Sequence, residues 1–220
     1  MRKQRQFRPA VEDARLEDRV VLSTSHHIAA AHAHVVKADP PQARLPVATA
    51  SEVKATLNGI HSALVSFSNS MTAFFNNVMA QLNAGTIDQD GAVDLLEGYG
   101  FNIKFQQLFY NIETAAGRVP YGAGFNGFAT STPSGLGVAP LPSGAQDLVT
   151  LLTYSETGPG PIGTIENNFA DALFATPPDF NAAGQAVSHS AIVTAYQESV
   201  PIVQQYIVDG VTAGDFRFKG

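Results

Sequence analysis

Apolar residues recur at Leu57, Ile60, Leu64, Phe67, Met71, Phe74, Val78 and Leu82. The steps are three and four residues almost throughout, which is the spacing that puts side chains on one face of an α-helix. Ser51-Glu52-Val53-Lys54 supplies a start, with Ser51 as the expected N-cap and Glu52 near the positive helix end. Asn83-Ala84-Gly85 supplies the stop, because Gly85 takes a left-handed conformation at low cost. A helix this long with one apolar stripe cannot stand alone in water. The rest of the chain has to cover it, and an all-α bundle is the expected architecture.

Further helical segments are available for that purpose. Thr86-Ile87-Asp88-Gln89 fits a capping box, predicting a second helix through Leu95-Leu96 that Gly98-Tyr99-Gly100 breaks. A third resumes from Phe101 to Ala116, with Phe101, Phe105, Leu108, Phe109 and Ile112 on one side. Short helices are expected over 145–154, capped by Ser143, and over 164–174, capped by Thr164. A Gly-Pro turn at 156–163 separates them. A last long helix over about 182–209 is expected to kink or split at Pro201. Between residues 117 and 144 Gly and Pro dominate, a long loop-like excursion whose Tyr121, Phe125 and Phe128 are expected to pack back on the helices. The reading is therefore a bundle of about four to six helices with one long Gly/Pro-rich loop, occupying residues 51–210. Residues 25–50, rich in Ala, His and Pro, read as a tether, and 211–220 as a C-terminal tail.

Charge narrows the function. Residues 1–44 hold eight of the 13 Lys and Arg and five of the 19 Asp and Glu, a net of +3. Residues 45–220 hold five bases against 14 acids, a net of −9. A body of that balance does not neutralise a phosphate backbone, so no nucleic-acid partner is expected. Cysteine is absent, which removes disulfides, thiol nucleophiles and Cys-ligated zinc. The most apolar long stretch, 192–208, is interrupted by Glu198, Pro201, Gln204 and Gln205, so no transmembrane helix is expected.

The first residues carry a more specific pattern. Arg-Lys-Gln-Arg-Gln-Phe-Arg at 2–8 is basic, but no apolar h-region of a secretory signal follows it. Instead come Phe7-Arg8-Pro9 and then Leu16-Glu17-Asp18-Arg19, with Leu22-Ser23 after them. This segment resembles the "F-R-P … L-E-D-R … L-S" start of many planctomycete proteins thought to be exported or surface-located. The Pro9-to-Leu16 spacing is a residue or two longer than in that pattern, and the resemblance covers less than a tenth of the chain. It implies an address for residues 1–24, outside the cytoplasm or in the cell envelope, and no activity.

Two stretches invite a metal. On the calcium-loop template, residues 86–97 place Thr86, Asp88, Asp90, the Ala92 carbonyl, Asp94 and Glu97 at ligand positions, with Gly91 at the turn. Calcium takes 6–8 hard oxygens closed by a bidentate carboxylate, hence the candidate set Asp88, Asp90, Asp94 and Glu97. The pattern resembles an EF-hand, with Thr86 standing where an Asp is usual and Gly98 and Gly100 interrupting the exit helix. Read without calcium, the same acids are a capped turn between helices. His26, His27, His32 and His34 form a second, looser group of imidazoles. For catalysis there is no G-x-S-x-G, H-E-x-x-H or P-loop. Ser188-His189-Ser190 puts a base next to hydroxyls, but neighbours in sequence do not face each other on a helix. His61 reads as a boundary histidine beside the Ile60/Leu64 stripe. The expectation is a non-enzymatic exported or envelope protein that fills a structural role or binds an unknown protein or envelope partner. A calcium-stabilised module and an enzyme with an unrecognised site are the alternatives.

Overall fold

The structure, a computed structural model, describes residues 45–120, 122 and 146–220. The expectations for the targeting-like segment, for His26, His27, His32 and His34, for the Ser143 cap and for Tyr121, Phe125 and Phe128 lie outside those residues. What is described is an all-α helical bundle with two very small sheets.

Its spine is α1, Ala50–Asn83. At about 1.5 Å per residue the helix is roughly 50 Å long. The cap is Thr49, not Ser51: its hydroxyl accepts the Glu52 N–H at 3.2 Å, and the Glu52 carboxylate accepts the Thr49 N–H at 2.8 Å. The reciprocal box needs an acid three residues after the hydroxyl. Thr49 has Glu52 in that place, whereas Ser51 would have Lys54. At the other end Gly85 is left-handed, with φ 68°, as expected. Burial on α1 is broader than one stripe. Ile60, Leu64, Phe67, Met71 and Val78 are buried, but so are Thr56, Ala63, Ser68 and Phe75. The Thr56 hydroxyl donates to the Ala115 carbonyl at 3.1 Å and the Ser68 hydroxyl to the Val187 carbonyl at 2.9 Å. Two different flanks of α1 are therefore covered, by two different parts of the chain.

One cover is α2 (Gln89–Tyr99) and α3 (Gln106–Ala116), joined through a π-helical segment, Gly100–Phe105. The expected break at Gly98–Gly100 does not occur. A Cβ on Gly100 would lie 3.1 Å from the Phe169 ring and 3.4 Å from the Met71 methyl, so this glycine serves a close approach between helices. No proline removes a donor here, and the helical path continues. The wider π turn shifts the register of the face. Phe105, fully buried, meets Phe67 at 4.7 Å, Phe101 at 5.5 Å and Phe169 at 5.8 Å between ring centroids. Beyond it α3 runs antiparallel to α1, close enough that a Cβ on Gly59 would sit 2.7 Å from that of Ala115.

The other cover comes from the C-terminal half. Asp147 caps the short α4, Leu148–Leu152. A tight hairpin follows, β2 (Tyr154–Ser155) with β3 (Gly158–Pro159). α5, Pro161–Leu173, starts three residues before the expected Thr164, because Pro161 at the first helical position already has the required φ. α6 is Phe180–Ala186 and α7 is His189–Ala213. The single helix expected over 182–209 is thus split at Val187–Ser188, and not at Pro201. Ser188 takes an extended conformation and caps α7, while Pro201 and Gln197 are both exposed. The carbonyl that Pro201 leaves without a donor is therefore open to water, and α7 continues.

The last residues are not a tail. Gly214 is left-handed at φ 79° and reverses the chain. Phe216 is 2% exposed, packed against Tyr206 and over Gly210. β4 (Arg217–Lys219) then pairs in parallel with β1 (Val47–Thr49), in the register Val47↔Arg217, Ala48↔Phe218, Thr49↔Lys219. Residues assigned from the sequence to a tether and a tail thus close the fold together. No described helix is long and apolar enough to cross a bilayer.

Gly98 and Gly59 discriminate this packing from a broken helix. A Cβ on Gly98 meets nothing within 4 Å, so Gly98→Ala is expected to stabilise by about 0.5–1 kcal/mol. Gly59→Leu is expected to cost roughly 2–3 kcal/mol by forcing α3 off α1. Chemical denaturation of both variants checks the pair.

Candidate functional site

The acids of the calcium-loop expectation come first. Asp88 is the N-cap of α2, its carboxylate accepting the Gly91 N–H at 2.8 Å. Since α2 begins at Gln89, Asp90, Asp94 and Glu97 lie on a helix and not in a loop. All four acids are exposed. Thr86 donates its hydroxyl to the Gln81 carbonyl at 2.9 Å, and the cap of α2 is Asp88 instead. Side chains three or four apart on a helix stand about 5–6 Å apart at Cβ and project in parallel, whereas calcium needs its oxygens at roughly 2.3–2.6 Å around one point. Among the described residues no three His, Asp or Glu side chains are grouped to hold a metal ion. In the structure the set Asp88, Asp90, Asp94 and Glu97 is a capped, acid-rich helix start. The Asp88 cap draws Gly91 into the first helical turn, whereas the calcium-loop template has that glycine in an open turn.

The serine–histidine run resolves in the same way. Ser188 accepts the Ala191 N–H at 3.4 Å and exchanges a 2.9 Å hydrogen bond with Ser190. His189 is exposed and makes no described bond to either hydroxyl. The His61 ring stands edge-on to Tyr196 at 4.9 Å, an α1–α7 contact. The exposed side of α1 next to it, along His61, Ser62, Ser66 and Asn69, borders a wide, open trough.

The structure brings together a group that sequence reading missed. Tyr154, on β2, donates its hydroxyl to the Glu166 carboxylate at 2.5 Å, and its oxygen lies 3.1 Å from the Asn167 side chain. The hairpin folds 12 residues back on themselves to make this contact, a separation at which no sequence period links two residues. Burial pushes the Tyr154 phenol well above its ordinary range, and the hydrogen bond and charge of Glu166 push it further. Burial also raises the Glu166 carboxyl, against the opposing effect of the phenol's hydrogen bond. A phenol so held is a proton donor committed to one carboxylate, and it ties the hairpin to α5. Beside it runs an open groove of about 420 Å³ bordered by Leu151, Ser155, Thr157, Thr164 and Glu198. Ser155 and Thr164 spend their protons on the Gly158 and Gly160 carbonyls.

A second buried acid sits on α3. Glu113 is 9% exposed, and its carboxyl is raised first by burial and then by the charge of Asp147. Asp147 itself accepts from the Thr150 N–H at 2.8 Å and the Thr150 hydroxyl at 3.0 Å. Because the folded Glu113 carboxyl holds its proton more tightly than the unfolded one, its contribution to stability is full below the ordinary carboxylate range. That contribution is lost as pH rises through the raised folded value. Glu113→Gln is accordingly expected to raise Tm near about pH 8, with the advantage shrinking toward about pH 4. Melting curves at both pH values check this, and a pH-independent difference would contradict the assignment. No family model, no curated protein and no solved structure matches the chain.

Proposed function

We propose that this chain is a non-enzymatic protein of the cell envelope or the extracellular space, whose helical body has a structural or partner-binding role. The address is supported by the Phe7-Arg8-Pro9 … Leu16-Glu17-Asp18-Arg19 … Leu22-Ser23 segment and its resemblance to planctomycete exported proteins. The role of the body rests on one observation: many of its polar side chains, buried and exposed, are spent on the fold itself. Thr56, Ser68, Ser199 and Tyr206 donate to backbone carbonyls. Asp88, Asp147, Asp179 and Ser188 hold helix N-termini. Tyr154 is committed to Glu166. A catalytic centre needs polar groups left available for a substrate; a binding or structural module needs a rigid body with a usable surface.

The address is testable by fusing residues 1–44 to a reporter in a planctomycete host. The reporter is expected outside the cytoplasm, and Leu16→Asp combined with Arg19→Asp is expected to retain it inside. Recovery of the unmutated fusion in the cytoplasm would contradict the proposal.

A further inference from the structure

Residues 214–220 form a short arm that folds back on the body. Gly214, left-handed at φ 79°, reverses the chain after α7. Phe216 is the one buried side chain of the arm, and its ring centroid lies 6.0 Å from that of Tyr206. The ring fills the space that a Cβ on Gly210 would need, which accounts for a glycine inside α7. β4 then completes a parallel ladder with β1, and the Arg217 N–H donates to the Pro46 carbonyl at 2.9 Å. The notch at Gly210 and the edge of β1 are thus an acceptor site whose occupant the fold itself identifies, residues 216–219 of this sequence.

Two features make the arm exchangeable between copies. The first is the hinge. A single residue, Gly214, turns the chain from helix to arm, and a short hinge in an unusual conformation invites swapping. A Cβ on Gly214 meets nothing within 4 Å, so no neighbour packs against the hinge. If Gly214 takes the ordinary helical conformation, α7 runs on and carries the arm away from its own notch. The second feature is the surface around the arm's root. Val47 is 45% exposed, Val208 56%, Val211 41% and Phe218 46%. They lie on the two strands and on the last turns of α7. Asp209 and Asp215 share this stretch with Arg217 and Lys219, so its charges have both signs. A two-fold axis brings a patch against the same patch, which suits a surface of mixed sign with apolar side chains among the charges.

We propose that the body dimerises by exchanging these arms. In the pair, each Phe216 ring enters the Gly210 notch of the other copy, and each β4 runs parallel to the β1 of the other copy. The contacts of the single chain are all kept. Two things change: the hinge straightens, and the exposed valines at the arm's root are covered by the second copy. A second copy of this chain is then one partner of the body, independently of where the chain is addressed.

The test is light scattering on size-separated full-length protein over a range of concentrations, where a dimer that grows with concentration is expected. Gly214→Ala penalises the left-handed hinge and favours the straight one, and it is expected to tighten the dimer roughly tenfold or more. Phe216→Ala and Gly210→Leu, which empty and fill the notch, are each expected to leave monomer, with circular dichroism confirming the fold. Crossing of the arms is read directly, because the chain has no cysteine of its own. Val47 and Arg217 are partners in the β1–β4 register. Chains carrying Val47→Cys, equilibrated with chains carrying Arg217→Cys and then oxidised, are expected to form an intermolecular disulfide. The same experiment with Val47→Cys and Asp90→Cys is the control and is expected to give none. A wild-type protein that stays monomeric overturns the proposal. So does a dimer that either folded notch variant retains, or one that gives no more disulfide at the registered pair than at the control.

Discussion

A 34-residue helix buried along two flanks is the constraint around which the other elements are arranged. On its own α1 would expose Ile60, Leu64, Phe67, Met71 and Val78 to water. Each such side chain is worth about 1.5–3 kcal/mol when buried. One flank is closed by α3 and the π-helical segment, the other by the loop before α7 and by α7 itself. The hydroxyls of Thr56 and Ser68 mark the two seams, each donating to a carbonyl of the covering segment. At the centre Phe105 gathers Phe67, Phe101 and Phe169, so α1, the π segment and α5 share one aromatic contact group. That sharing explains why the π turn is tolerated. Its poorer hydrogen-bond geometry is offset by placing Phe101 towards α5 and Phe105 towards α1 at once.

The long periodic features were legible from the residues. The stripe from Leu57 to Leu82, the Gly85 stop and the all-α class follow from spacing that only a helix satisfies. What was not legible has specific causes. Gly98 and Gly100 carry the signature of a break, but their reason is the Phe169 ring and the Met71 methyl, which come from elsewhere in the chain. Pro201 carries the signature of a kink, but exposure of the Gln197 carbonyl removes the penalty that would enforce one. The split at Val187–Ser188 depends on a single cap hydroxyl, a signal shared by many serines. β1 and β4 are three residues each, too short to show a period of two, and 168 positions separate Thr49 from Arg217.

The site reading shows the same division. Residues 86–97 hold oxygen ligands at calcium-loop spacing, and the spacing alone does not say whether the backbone is a loop or a helix. The Asp88 cap decides it locally in favour of a helix. The Tyr154–Glu166 pair had no sequence signal because a hairpin creates it. Across the described body, polar groups repeatedly end on backbone atoms, and the features left facing outward are charge and scattered apolar side chains. These are the materials of a surface.

The most direct measurement is native-state hydrogen exchange resolved by residue. If α1 is the shared spine and the chain from Gln89 to Ala116 is one continuous helical cover, amides at 60–78 and 101–112 should exchange only through global unfolding, with matching protection on either side of Gly100. Rapid exchange at 98–106, with residues 89–97 and 107–116 protected to different extents, would show two separate helices joined by an open hinge and would contradict the account.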